Sequence, residues 1–276
     1  MGRQHQLGRI SPLLVLAGVL LAGPLQALKA EAETPTEVPL LAQATQGAVS
    51  VPPEVRAWLQ QEEKLYQQGK FAEAIPLQQQ LLAWTEKTYG SNHPNTATSL
   101  NNLAELYVDQ GRYAEAEPLY KRSLAILEKT LGPEHPDTAT SISNLAVLYR
   151  KEGRYGEAEP LYKHSLAISE KTLGPKHLNT ALSLNNLGVL YNEQGRYGEA
   201  VPLVERTLEI FEKTLGPDHP YTTGSLINLA GLYFSQGRYG EAEPIYKYLA
   251  IRNKKALGPE HPDTATSLNN LAVLYN

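Results

Sequence analysis

The chain has 276 residues, of which 42% are hydrophobic and 20% charged; it contains no cysteine and carries a formal charge of −4. That balance suits a folded protein, and the lack of cysteine excludes disulfides, thiolate nucleophiles and cysteine-based zinc sites. A pI near 6.0 gives no electrostatic footprint for nucleic acid, which needs a clustered basic face.

At the N-terminus, Arg3 and Arg9 precede the apolar run from Pro12 to Gly23, and Ala30-Glu31-Ala32 offers a small-x-small cleavage site. Charge, short apolar core and small residues in that order predict a secretory signal peptide over residues 1–32, the run being too short for a comfortable membrane span. The expected location is therefore outside the cytoplasm, periplasmic or secreted; the alternative is a membrane anchor formed by an uncleaved signal. Cleavage would leave no stable membrane insertion. It would also remove Arg3, Arg9, Lys29 and Glu31, taking the formal charge from −4 to −6. Residues 33–52 mix Pro, Thr, Ala and Gln without a sustained period, as a flexible linker does.

From Pro53 to Asn276 the chain is built on a 42-residue self-similarity, marked by Gly-x-x-His elements starting at Gly90, Gly132, Gly174, Gly216 and Gly258. A period of this length signals stacked supersecondary units, each burying its apolar face on its neighbours. In the copy beginning at Leu131, the residues Ile142, Leu145, Ala146 and Tyr149 fall at i, i+3, i+4 and i+7, the stripe of an amphipathic helix A. Gly153 ends it; helix B runs on from Tyr155 with Ala158, Leu161, Tyr162, Ser165 and Leu166 on one side, until Leu173-Gly174-Pro175 stops it. The same pattern predicts helix pairs at 53–87, 95–129, 137–171, 179–213 and 221–256, then a lone helix A at 263–276. The irregular first pair, with Trp58 and Trp84, is expected to cap the stack.

The residues Leu103-Ala104, Tyr107, Gly111, Ala116 and Tyr120 resemble the tetratricopeptide pattern, and the 42-residue length with Leu131-Gly132-Pro133-Glu134-His135-Pro136-Asp137 is similar to the repeats of kinesin light chain. Similar arrays occur in bacterial exported and signalling proteins. The resemblance implies an all-α, right-handed superhelical solenoid of antiparallel helix pairs, whose A helices line a concave groove that binds a peptide.

Helix geometry also selects that surface. Stepping about 100° per residue puts Leu100, Leu103, Ala104 and Tyr107 on one side of helix A and Thr98, Asn102, Glu105 and Asp109 on the other. One position on the polar side is Asn in all five copies: Asn102, Asn144, Asn186, Asn228 and Asn270. Asn is a mediocre helix former, and its amide both donates and accepts, which suits it to clamp the backbone of an extended ligand. In the families resembled, an Asn at the matching place often does so. The competing reading is that each Asn bonds to the neighbouring repeat and fixes the superhelix. Charges on this face are mixed, Glu105, Asp109 and Glu193 against Arg150 and Lys151. In the copy from Leu215, Gly224 and Gly231 remove side chains while Ile227 and Phe234 supply apolar bulk, a hollow that could take one large ligand side chain.

His93, His135, His177, His219 and His261 recur in successive turns, roughly 16 to 20 Å apart if neighbouring helices pack at 8 to 10 Å, so they cannot share a metal ion and read as structural turn residues. Glu157 and Glu159 read as a solvated first helical turn favoured by the helix dipole. In the last helix B, Leu249-Ala250-Ile251 stands one residue early, which predicts a rotated stripe or a bulge. Its Lys247, Arg252, Lys254 and Lys255 read as a solvated basic face.

No phosphate-cradling glycine loop and no nucleophile motif is present. The chain therefore reads as a non-enzymatic scaffold without cofactor, binding a peptide or protein partner. The alternative is an accessory repeat region of a longer enzyme, such as a caspase-like peptidase, of which this sequence is a fragment. The apolar stripe Leu268, Leu271, Ala272 and Tyr275, with no helix B after it, predicts self-association through that end.

Overall fold

The computed structural model describes residues 51–275; the expected signal peptide, residues 33–50 of the expected linker, and Asn276 lie outside the described residues. The described chain is a succession of helices: α1 (Pro53–Gln67), α2 (Phe71–Tyr89), α3 (Pro94–Asp109), α4 (Tyr113–Thr130), α5 (Pro136–Lys151), α6 (Tyr155–Thr172), α7 (Leu178–Glu193), α8 (Tyr197–Thr214), α9 (Pro220–Ser235), α10 (Tyr239–Leu257) and α11 (Pro262–Leu274). Odd-numbered helices are the predicted A helices and even-numbered ones the B helices. The chain divides into two compact units, one ending at Ile210 and the other running from Phe211.

Among the described residues the five A helices after α1 start by the same local chemistry, whereas α1 follows Pro52 with no side-chain cap. The histidine before each of the five holds an extended backbone and its Nδ1 accepts the amide N–H two residues on, at 3.1 Å in His135 and His177. This is an N-cap, with imidazole in the place of the usual hydroxyl or carboxylate. In four of the five, proline follows at the first helical position, where an amide would lack a partner anyway. The threonine three residues after the histidine is buried and its hydroxyl closes the turn onto the glycine carbonyl: Thr138 to Gly132 and Thr180 to Gly174, both at 2.8 Å. Two turn types need glycine: Gly153, between A and B, sits at φ 76°, and Gly132, between B and A, at φ 97°. The predicted helix boundaries therefore agree with the observed ones to within about two residues.

In the first unit the A-helix stripe is fully buried, with Leu100, Ala104, Leu148, Ala146, Leu190 and Ala181 at 0% exposure. Burial of each such leucine contributes about 1.5–3 kcal/mol. Helix B presents Ala116, Tyr120 and Ile126 or Ala158, Tyr162 and Ile168 to the core, and is stitched to its A helix by a buried hydroxyl: Ser123 Oγ to the Ala97 carbonyl and Ser165 Oγ to the Ala139 carbonyl, both at 2.8 Å. Val51 packs at the outer end of this unit with Val55, Leu59 and Leu81.

The second unit contains the irregular helix, and here the expected rotation or bulge does not occur. α10 is α-helical from Tyr239 to Leu257 and buries Ala242 and Tyr246 at the positions of Ala116 and Tyr120. Turning the helix to bury Ile251 would swing both of these anchors out of the core. Register is kept instead: Ile251 is 70% exposed and Arg252 stands where Ile126 and Ile168 stand in the other copies. On α11 Leu268 is 47% exposed, and Tyr275, which caps the helix, is 61% exposed.

Candidate functional site

All five ladder asparagines lie on their A helices half-buried. Asn186 Nδ2 donates to Ser143 Oγ of the preceding repeat at 3.2 Å, so in this copy the amide ties adjacent A helices together. A second tie, Ser141 Oγ to Asn101 Oδ1 at 3.5 Å, uses the residue beside the ladder. Asn102, Asn144, Asn228 and Asn270 make no side-chain hydrogen bond among the described residues, so their amides are open to another partner.

The charges on the same face are not open. Tyr66 donates to Glu105 Oε1 at 3.2 Å and Asp109 Oδ2 at 3.3 Å, and Lys151 Nζ approaches Asp109 Oδ1 at 3.5 Å. Arg150, 7% exposed, pairs with Glu193 of the next repeat, whose side chain is 23% exposed. Burial pushes the Asp109 and Glu193 carboxyls above their usual range even though Lys151 and Arg150 pull the other way. Each charge on this face is thus spent on the repeat beside it. Lys151, a candidate ligand contact from the sequence, is one of these paired groups.

In the second unit α9, α10 and α11 enclose a cavity of about 400 Å³. Its lining includes Gly224, Ile227, Asn228 and Asn270 of the candidate residues, with Arg252 and Asn253 from α10. The other two residues of the expected hollow are elsewhere: Gly231 is buried within α9, and Phe234 leans on the Tyr239 ring with centroids 5.4 Å apart. The cavity that is present lies toward the N-terminal half of α9 and includes only Gly224 and Ile227 of the four residues expected to form the hollow.

Sequence reasoning missed a second recurring constellation. Arg154 stacks over the Tyr149 ring at 3.9 Å and Arg196 over Tyr191 at 3.9 Å. Each pair reaches the preceding B helix: Tyr149 and Arg154 bond Glu117 at 3.0 Å each, and Tyr191 and Arg196 bond Glu159 at 3.1 and 2.7 Å. Glu159 is therefore an inter-repeat clasp; only Glu157, paired with Arg154 within its own first turn, keeps the expected solvated role. Lys121 and Arg154 hold Glu117, and Arg196 and Lys163 hold Glu159, down to about 2. The signal was present as Tyr, Arg and Glu repeating in register, but a glycine turn separates Tyr from Arg, so no helical-face rule links them. Among the described residues no group of three His, Asp or Glu could hold a metal ion, and no helix is long and apolar enough to cross a membrane.

Comparison with known proteins agrees with this architecture. The tetratricopeptide repeat family matches residues 65–129, 101–160, 137–213 and 183–247. A Podosopora anserina kinesin light chain candidate with nearly identical TPR-like repeats is 33% identical over 75% of this chain and 99% of its own, with a TM-score of 0.60. BtubC (BKLC) from P. vanneervenii, 24% identical over 86% of this chain and 92% of its own, gives a TM-score of 0.62. The apo form of RapI, 18% identical over 80% and 83%, gives 0.61. The last two likenesses bear on the fold alone. No curated protein sequence matched. With its all-α helix pairs, its period and its capping chemistry accounted for, the chain belongs to the tetratricopeptide repeat family, with repeats like those of kinesin light chain.

Proposed function

We propose that the array is a non-catalytic scaffold that binds an extended peptide, or an extended segment of a partner protein, along its A-helix face. The observation that carries this reading is that the half-buried asparagine amides Asn102 and Asn144 of the first unit are unspent within it, beside the internally paired charges of Asp109, Lys151, Arg150 and Glu193. An amide row satisfies a peptide backbone without selecting side chains, and an array of helix pairs presents it rigidly enough that little ordering cost falls on the protein. We place this activity outside the cytoplasm on the N-terminal pattern of Arg3, Arg9 and the apolar run; fractionation of cells expressing the full chain tests it.

The binding test begins with capture of a partner by the mature chain and its identification by mass spectrometry. Calorimetry then compares wild type with Asn102→Ala/Asn144→Ala. The double variant should lose about tenfold or more in affinity, about 1.4 kcal/mol, with its melting temperature nearly unchanged, since neither amide bonds within the array. Unaltered affinity refutes the clamp. Asn186 is left intact because its bond to Ser143 would mix stability with binding.

A further inference from the structure

The cavity between α9, α10 and α11 is a departure from the repeat and has a traceable cause. In the copy built on α3 and α4, the equivalent positions are Ile126 and Leu127, which pack with Ala97 and Leu100 in the core, and Thr98 and Thr130. In this copy Gly224 and Ala256 replace the threonines, and Arg252 and Asn253 replace the aliphatic pair. Arg252 does not fill the space. Its guanidinium swings to the rim, where Nε donates to Asp218 Oδ1 at 3.1 Å, Nη1 to Thr223 Oγ1 at 2.6 Å and Nη2 to the Asp218 carbonyl at 2.7 Å. One proton on each terminal nitrogen is left over.

Asn253 is only 8% exposed, and its amide orientation is fixed by its neighbours. Ser267 Oγ donates to the Asp263 carbonyl at 2.8 Å, so toward Asn253 it can only accept, and it does so from Nδ2 at 2.8 Å. Asn253 Oδ1 then has no donor among the described residues. The cavity offers N–H at Arg252, a bare carbonyl oxygen at Asn253, and an apolar body from Ile227, Leu249 and Leu257.

We propose that this cavity is a seat for an uncharged amide with an apolar side chain, the form in which one residue of a bound peptide presents itself. An anion could accept from Arg252 but would leave Oδ1 unsatisfied and meet Asp218 and Asp263, whose side chains are 86% and 69% exposed at the rim. A cation would satisfy Oδ1 and face the guanidinium. An amide carries both an acceptor and a donor and answers both groups. That the natural ligand is a peptide rests on the scaffold reading above; the chemistry of the seat does not.

The test uses the full chain, isotope-labelled, titrated with N-acetyl-L-leucinamide and followed by NMR at Gly224, Asn253 and Asn270. Saturable shifts are expected there, with N-acetyl-L-leucine (an anion) and L-leucinamide (a cation) binding at least about tenfold more weakly. Arg252→Ile/Asn253→Leu, which copies Ile126-Leu127, should abolish the shifts while melting at or above the wild-type temperature. Gly224→Thr should weaken them without touching α10. The proposal is overturned if wild type shows no shifts, if the filled variant shows the same shifts, or if the charged analogues bind equally well. Should the probe fail while a captured partner still depends on Asn102 and Asn144, the seat is wrong and the scaffold reading stands.

Discussion

Replacing Glu159 by Gln keeps the shape of the inter-repeat clasp and removes its charge. The carboxylate accepts from Arg196 at 2.7 Å and Tyr191 at 3.1 Å, and Lys163 lies at 2.7 Å. Arg196 with Lys163 and Tyr191 draws its pKa from 4.5 to about 2. Taken whole, such a shift would be worth about 3 kcal/mol. Solvent reaches the pair, however, the Glu159 and Arg196 side chains being 21% and 32% exposed. Exposed pairs measure about 0.2–1 kcal/mol and hydrogen bonds to charge about 1.5–3, so we expect a loss of about 1–1.5 kcal/mol at pH 7. Because the folded-state value is depressed, this stabilisation is present above the ordinary carboxylate range and is lost as pH falls toward 2. Urea unfolding of wild type and Glu159→Gln, followed by circular dichroism at pH 7 and again at pH 3 and below, should show the gap between them narrowing with acid. A gap that stays constant, or widens, refutes the assignment of Glu159 as a charged clasp.

His177→Ala should cost about 1 kcal/mol and His177→Asp should restore or exceed wild-type stability, because a carboxylate caps the helix and complements its dipole; equal losses in thermal melts would contradict the cap. Asp109→Asn should fall within about 0.5 kcal/mol of wild type at pH 7, since burial already opposes its charge and the amide oxygen still accepts from Tyr66; a loss above about 2 kcal/mol in urea unfolding would show the ion pair with Lys151 to be a strong net contributor. Ile251→Glu should be neutral within about 0.5 kcal/mol, while Ile168→Glu, 3% exposed, should disrupt its repeat; similar outcomes for the two would mean that α10 had shifted register in solution.

The helices were legible because two independent signals agree at most boundaries: apolar periodicity within a copy, and the punctuation of glycine and His-Pro between copies. What the sequence hid were relations between copies. A helical wheel puts Asp109 and Lys151 on one face, yet only packing shows that a residue and its neighbour 42 positions on lie within reach, so the mixed charges of the sequence did not reveal their pairing. The same blindness made Glu159 look solvated, its partner Arg196 being 37 residues away beyond a turn. For α10 the one-residue slip of Leu249-Ala250-Ile251 suggested rotation, but Ala242 and Tyr246 below it hold the helix in register. Of the four residues expected to form the hollow, Gly224 and Ile227 line the cavity, whereas its polar groups come from Arg252 and Asn253 on another helix, which a reading of α9 alone could not include.

These inter-copy pairings bear on how an array like this can be selective. Tyr66, Asp109 and Lys151 form one chain across three repeats, and Arg150 with Glu193 forms another. A ligand charge aimed at them must first break a partly buried pair, at a cost that removing one partner makes large, so ligand charge is a poor basis for recognition on this face. Asn102 and Asn144 of the first unit keep unspent amides, and on the proposed reading two identical amides would hold a ligand backbone without fixing its register. Register must come from a position that differs from its equivalents. In the second unit that position is the cavity at Gly224, Arg252 and Asn253, where a helix gives up apolar packing for an unpaired carbonyl oxygen and spare guanidinium protons. A residue seated there would set which ligand residues lie against Asn228 and Asn270, turning a uniform clamp into one that reads a starting point.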